Sequence, residues 1–132
     1  MPSGPLAGST LAQVAVPVRD AERAARFYRD TLGLPFLFAA PPLAFLACGD
    51  VRLMLSVPES PEFDRPGSIL YFRVPDITEA HAELEARGVG FRGPPHRVAR
   101  LSDHDLWLAF FEDGEGNTMA LLSEVPHARG GA

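Results

Sequence analysis

Residues 13–20 read QVAVPVRD, and residues 69–76, about 56 positions later, read ILYFRVPD. Each stretch alternates inward and outward side chains as a β-strand does, and each ends in an aspartate that can cap a helix. A helical pattern follows both aspartates and stops at a glycine, Gly33 in the first copy and Gly88 in the second. A repeat of this period indicates two copies of one supersecondary unit, so it decides the fold.

Three strand-like segments follow the helix in each copy. In the first copy we expect strands at 35–39, 43–48 and 51–57. In the second copy we expect them at 89–92, 106–112 and 117–123. The second copy has about ten extra residues within 94–105, which we interpret as a long loop at the mouth of a cavity. The sequence therefore predicts an α+β fold, with two tandem βαβββ units forming a curved mixed sheet around one cavity.

The length of the chain, 132 residues, suits one hydrophobic core, so we expect both copies to belong to a single domain, 1–132. Within it, repeat 1 covers about 12–57, a turn-rich linker covers 58–67, and repeat 2 covers about 68–124. We expect the two ends, 1–10 and 126–132, to be flexible.

The composition excludes several classes of protein. A formal net charge of −5 argues against nucleic acid or an anionic membrane as the main partner. No apolar run approaches the roughly 20 residues that span a bilayer, and the first ten residues do not form a signal segment. The single cysteine, Cys48, cannot form an internal disulfide and fits a reducing compartment. We therefore expect a soluble, cytoplasmic protein.

Three parts of the sequence carry a resemblance to a known family. They are QVAVPVRD with FYRDTLGLPF, then DITEAHAELEARGVGF, then FFEDGEGNTMALLS. Over about residues 12–124 the chain resembles the vicinal oxygen chelate superfamily, which includes glyoxalase I, extradiol dioxygenases and bleomycin-resistance proteins. The resemblance implies the doubled βαβββ fold and a two-fold homodimer, which the open sheet edges also favour.

Metal-using members of that superfamily bind a divalent ion through four inward-facing side chains, typically His or Gln, Glu, His and Glu. By strand position, the resemblance places these ligands on Gln13, Met54, Ile69 and Ala120. Only Gln13 offers a donor suited to a hard or borderline metal, because Met is a soft ligand and Ile and Ala have no donor atom. We therefore expect no metal site and no cofactor.

A relocated divalent metal site is the alternative. His96 and His104 lie in the 94–105 segment with Asp103 and Asp105 beside the second histidine. The spacing of these histidines does not match an ordinary metal motif. His81, inside the second helix, is interpreted as a surface or capping residue.

Strand alternation predicts which side chains face the cavity. They are Gln13, Ala15, Arg52, Met54, Ser56, Ile69, Tyr71, Arg73, Thr118, Ala120 and Leu122. Arg52 could clamp a carboxylate or phosphate, or it could pair with a nearby Asp or Glu at the rim. Tyr71 could donate a hydrogen bond or act as an acid–base group, or it could be only a half-buried aromatic. Arg52 and Tyr71 are the candidate catalytic residues.

His96, His104 and Trp107 complete the predicted ligand-binding set, which otherwise consists of Gln13, Arg52, Met54, Ile69, Tyr71 and Ala120. Trp107, with Phe110 and Phe111, could stack a flat ligand ring or belong to the core or to a dimer interface.

An apolar wall with a few polar groups is typical of a small-molecule site. The sequence therefore favours a metal-free protein that binds a small organic molecule, anionic or aromatic, comparable in kind to the bleomycin-resistance members. The alternative is a divalent-metal-dependent lyase, isomerase or dioxygenase of the same superfamily. A third hypothesis is metal-free acid–base catalysis by Tyr71 with Arg52 as an anion clamp, so whether the protein is an enzyme stays open.

Overall fold

The computed structural model describes residues 4–58, 61 and 67–127. Contacts divide the chain into two compact units, Met1–Phe63 and Asp64–Ala132, and each unit contains one copy of the repeat. Most of the predicted linker, and the parts of the predicted flexible ends at 1–3 and 128–132, lie outside the described residues. In the described chain, no helix has the length and hydropathy that crossing a membrane requires.

The first unit is a four-stranded mixed sheet with a helix on one face. Its elements are β1 (Gln13–Pro17), α1 (Ala21–Arg26), a π-helical turn (Phe27–Thr31), β2 (Phe36–Ala40), β3 (Leu43–Cys48) and β4 (Val51–Ser56). The strand order is β1-β4-β3-β2, in which β1 and β4 are parallel and the other pairs are antiparallel. The strands predicted for this copy are confirmed.

The second unit repeats the arrangement. Its elements are β5 (Leu70–Arg73), α2 (Ile77–Ala86), β6 (His96–Arg100), β7 (His104–Glu112) and β8 (Thr118–Pro126). The strand order is β5-β8-β7-β6, again with one parallel pair, β5 and β8. The predicted α+β class with two tandem βαβββ units is confirmed.

Both helices begin and end as the sequence predicts. The Asp20 carboxylate accepts from the Arg23 backbone N–H at 3.1 Å, and the Asp76 carboxylate accepts from the Glu79 N–H at 3.0 Å. These bonds satisfy N–H groups that have no partner inside the helix. Each helical segment is followed by a glycine in the left-handed region, where the chain turns away from the helix axis.

The prediction of a strand at 89–92 is wrong. That segment makes a single bridge, between Phe91 and Phe111, and the ladder is then interrupted at residues 93–95, which read GPP. Proline has no N–H to donate to a ladder, and glycine weakens one. Pairing resumes in β6, which lies inside 94–105, the segment predicted as a long loop. This segment therefore contributes to a β-hairpin made by β6 and β7.

The core of each unit lies between its helix and its sheet. In the first unit, Ala24 and Ala25 of α1 are buried against β3 and β4, and their small side chains allow the helix to approach closely. In the second unit the most deeply buried large side chains are Phe111 and Met119, which are paired across β7 and β8.

His81 is nearly buried, and its interpretation as a surface or capping residue is wrong. Its side chain is 13% exposed, and its ring lies 4.3 Å from the Phe91 ring, measured between centroids. The Nδ1 atom lies 3.6 Å from the Glu85 carboxylate, while the buried Nε2 atom has no hydrogen-bond partner among the described residues.

We expect His81→Leu to raise the free energy of unfolding by about 1 kcal/mol, because an unsatisfied buried polar atom destabilises the fold and leucine fills a similar volume. The lost pairing with Glu85, whose side chain is half exposed, contributes little to stability. Urea denaturation measures the change, with the exposed His96→Leu as the control that stays within about 0.5 kcal/mol of the unchanged protein. A less stable His81→Leu variant would contradict the assignment of Nε2 as unsatisfied.

Candidate functional site

The helix-free face of the first sheet carries the polar side chains predicted to face a cavity. Strand register places Gln13 beside Arg52 and Ala15 beside Met54. On β3, Phe45 pairs with Met54, and on the edge strand β2, Phe38 pairs with Phe45. The alternate residues of β4, Leu53 and Leu55, are buried on the helix side.

Five of these side chains contact one another, and we call them the Arg52 cluster: Gln13, Phe38, Phe45, Arg52 and Met54. Arg52 Nε donates to Gln13 Oε1 at 2.7 Å, and Gln13 Nε2 lies 3.5 Å from the Met54 sulfur. The Arg52 guanidinium carbon lies 5.4 Å from the centroid of the Phe45 ring. The Phe45 and Phe38 rings stack with 4.4 Å between centroids and 26° between planes.

Arg52 has no acidic partner within the ranges 4–58 and 67–127. Its polar contact there is the bond from Nε to the neutral Gln13 amide, which leaves the terminal nitrogens Nη1 and Nη2 without a bonding partner in these ranges. Among the described residues, therefore, no Asp or Glu pairs with Arg52, the second of the two alternatives considered for it. The Gln13 bond and the Phe45 ring hold the positive group in one orientation.

In the second unit, Tyr71, His96 and Ala120 lie on the helix-free face around Phe110. Tyr71 is 48% exposed, and its ring meets the Phe110 ring edge-on at 6.4 Å. The His96 ring is 6.5 Å from the Phe110 ring, and Ala120 is fully buried between Tyr71 and Phe110 in the strand register. Ile69, which is 39% exposed, precedes β5.

Trp107 is not part of this group. It pairs with Ser123 on β8, and alternation along β7 places it on the same face as Phe111, opposite to Phe110. The three aromatic residues grouped in the sequence are therefore divided between the two faces of the sheet.

His104 lies at the start of β7 and has a carboxylate near each ring nitrogen. Nδ1 is 2.6 Å from Asp103 Oδ1, and Nε2 is 3.5 Å from Glu124 Oε2. The hydrogen bond to His104 lowers the pKa of the Asp103 carboxyl. Glu124 also pairs with Arg73 at 3.1 Å, which continues the polar chain along the helix-free face.

The hairpin separates His104 from His96. His96 pairs with Leu108, four residues along β7 from His104, so the two histidines are about 13 Å apart along the strand. This distance is too long for both to bind one metal ion. In the described ranges no three His, Cys, Asp or Glu side chains lie close enough together to hold a metal.

Residues 10–121 match the family model of the Glyoxalase/Bleomycin resistance protein/Dioxygenase superfamily. The chain belongs to this superfamily. A glyoxylase-like domain-containing protein of Didymella fabae is 31% identical over 121 residues, which cover 83% of this chain and 90% of the relative.

Two solved structures have a similar fold. A member from Sphaerobacter thermophilus superposes with a TM-score of 0.72 at 26% identity, covering 88% of this chain and 98% of that one. TnmS3, an antibiotic binding protein from Streptomyces sp. CB03234, superposes with a TM-score of 0.71 at 30% identity, covering 89% of this chain and 98% of that one.

The four positions implied as metal ligands of the superfamily do not form a suitable donor set in this member. They supply one amide oxygen, on Gln13, and one thioether, on Met54, since Ile69 and Ala120 have no donor. The amide oxygen already accepts a hydrogen bond from the Arg52 guanidinium. A divalent cation at this oxygen would be repelled by a positive group only a few ångströms away.

A separate groove of about 550 Å³ lies within the first unit, on the helix side of the sheet of this superfamily member. Apolar residues such as Phe36 and Pro42 line it together with Arg26 and Arg29. Arg26 pairs with Glu22 at 3.2 Å, and Arg29 pairs with Asp30 at 2.7 Å, so both charges are matched.

None of the residues predicted for the site lines this groove. Sequence reasoning assigned side chains only to the cavity face, and strict alternation would put Phe36 and Phe38 on one face. A bulge between them pairs Phe36 with the buried Leu46 and Phe38 with Phe45. The bulge therefore turns the two rings to opposite sides of the sheet.

Proposed function

We propose that the protein is a metal-free binding protein of the superfamily, cytoplasmic and homodimeric, that holds a small organic molecule on the helix-free face of the first sheet. The observation that carries the proposal is the hydrogen bond from Arg52 to Gln13. It gives a cationic partner to the one oxygen donor at the four implied ligand positions, and so favours an organic ligand over a metal ion.

The character of the Arg52 cluster supports a binding role. Phe38 is 47% exposed, although it is a large apolar residue, and it lies in a stack that ends at a guanidinium without an acidic partner in the described chain. Apolar surface with a small number of fixed polar groups is typical of ligand sites. The similarity to TnmS3, an antibiotic binding protein, supports the same class of function.

The exposed edge of the first sheet supports the homodimer. Strand β2 is the last strand of its sheet, and Phe36, Leu37 and Phe38 are 38%, 46% and 47% exposed. An edge strand with apolar side chains and unpaired backbone groups is a suitable surface for a second copy.

Metal analysis tests the proposal. The protein is purified without a polyhistidine tag, incubated with nickel, zinc, manganese or iron, desalted, and analysed by elemental mass spectrometry. We expect occupancy far below one ion per chain, because a single amide oxygen beside a guanidinium does not hold a divalent ion.

A double variant, His96→Ala with His104→Ala, controls for metal bound adventitiously by these two histidines. Occupancy near one per chain that survives in this variant and is lost in Gln13→Ala would contradict the proposal. That result would instead favour a metal-dependent lyase, isomerase or dioxygenase.

A further inference from the structure

We infer that the ligand of the Arg52 cluster is an aromatic carboxylate: a planar ring system that carries one carboxylate group. The inference rests on the proposed binding function and names the chemical class that this face recognises. Two features carry it, the position of the Arg52 guanidinium and the exposed aromatic surface beside it.

The guanidinium supplies the carboxylate site. Because Nε bonds to Gln13, the plane of the guanidinium is fixed, and its terminal nitrogens are left for a partner from outside the described residues. A guanidinium binds a carboxylate through two parallel N–H···O bonds, which a planar anion accepts best. The neutral Gln13 amide orients the group without cancelling its charge.

The phenylalanine rings supply the site for the ligand ring. Phe45 is nearly buried, whereas the Phe38 ring that stacks on it is about half exposed. A flat ligand ring can extend this stack, since aromatic rings prefer offset stacked contacts with centroids about 4.5–7 Å apart. Met54 offers a polarisable sulfur on the same face.

The groove on the helix side is a weaker site for the same ligand. Its Arg26 and Arg29 are paired with Glu22 and Asp30 in the first unit, so an incoming carboxylate would have to displace an existing partner. At Arg52 no carboxylate has to be displaced within the described chain.

Two matched probes test the inference, 1-naphthoate and its neutral analogue 1-naphthylmethanol, by isothermal titration at low ionic strength. We expect the protein to bind 1-naphthoate roughly tenfold to a hundredfold more tightly than the alcohol, the range expected for a charge-assisted bond. Arg52→Gln should abolish this preference, and Arg52→Lys should keep only part of it, because lysine lacks the planar fork.

Variants of neighbouring residues provide the controls. Phe38→Ala should weaken both probes by a similar factor, whereas Leu37→Ala, at an equally exposed position, should leave both affinities unchanged. Arg29→Gln in the groove should also leave the preference for 1-naphthoate unchanged.

Four results would overturn the inference. They are equal affinity for the two probes, or no binding of either; a preference for 1-naphthoate that survives in Arg52→Gln; and a preference that is lost in Arg29→Gln. Such a result, together with near-zero metal content, would leave the metal-free binding function standing with another class of ligand. Stoichiometric metal that survives in the His96→Ala, His104→Ala variant and is lost in Gln13→Ala would contradict the binding function itself, whatever the probes show.

Discussion

Phe111→Ala is expected to lower the free energy of unfolding by about 3–5 kcal/mol, the range for truncating a buried aromatic residue. Phe111 has no exposed surface and lies in the middle of the sheet, where it pairs with Met119 and bridges to Phe91. Its ring centroid is 5.3 Å from that of Phe91. Removing the ring would leave a cavity between α2 and β7 that the surrounding strands can close only in part.

Urea denaturation, followed by circular dichroism, measures this loss. The matched control is Phe38→Ala, the same substitution at an edge position that is 47% exposed, for which we expect a loss of about 1 kcal/mol or less. If both variants lost the same amount, Phe111 would not be the central core residue that its burial indicates.

The second large effect is expected for Asp113→Ala, a loss of about 2–4 kcal/mol of unfolding free energy. Asp113 is 2% exposed and closes the turn between β7 and β8. Its carboxylate accepts from the Glu115 N–H at 2.7 Å, the Asn117 N–H at 3.0 Å and the Asn117 side-chain amide at 2.8 Å. Without the carboxylate, the buried amide of Asn117 would lose a charged acceptor.

The corresponding turn of the first unit offers a matched control. Asp50 follows Gly49 between β3 and β4 and is exposed, so Asp50→Ala should change the free energy of unfolding by no more than about 0.5 kcal/mol. Asp113→Asn keeps one acceptor oxygen, so its loss of unfolding free energy should fall between those of Asp113→Ala and Asp50→Ala. Equal stability of the Asp113 and Asp50 variants in urea would show that the carboxylate network does not hold the turn.

Local signals in the sequence are sufficient to predict the repeat, the helix caps and most strands. An aspartate before an apolar helical stripe and a glycine after it specify a helix without reference to the rest of the chain, and Asp20 and Asp76 cap their helices as predicted. Alternation is equally local, and it places Gln13 and Arg52 on one face of the first sheet.

Features that depend on register could not be predicted in the same way. The GPP run at 93–95 marks an interruption, but the sequence does not show that pairing resumes at His96, because this depends on how far β7 extends along its neighbour. The bulge between Phe36 and Phe38 reverses the face of one ring, and no turn residue marks its position.

The partner of Arg52 is a similar case. Gln13 lies far away in the sequence and reaches Arg52 only because β1 and β4 are parallel in one particular register. From residue types alone, the partner of Arg52 could be an acidic side chain or an external anion. The neutral amide at 2.7 Å orients the guanidinium and leaves its charge in place.

The edge strand β2 also affects how the chain behaves in concentrated solution. One edge strand of the second unit, β6, carries Arg97 and Arg100, and such charges discourage pairing between edges. On β2 the corresponding run is FLFAA, which has no charge, so when no second copy covers this edge it is open to pairing with other chains. The proposed ligand, stacked on Phe38, would cover part of this run. We therefore expect its binding to raise the solubility of the protein.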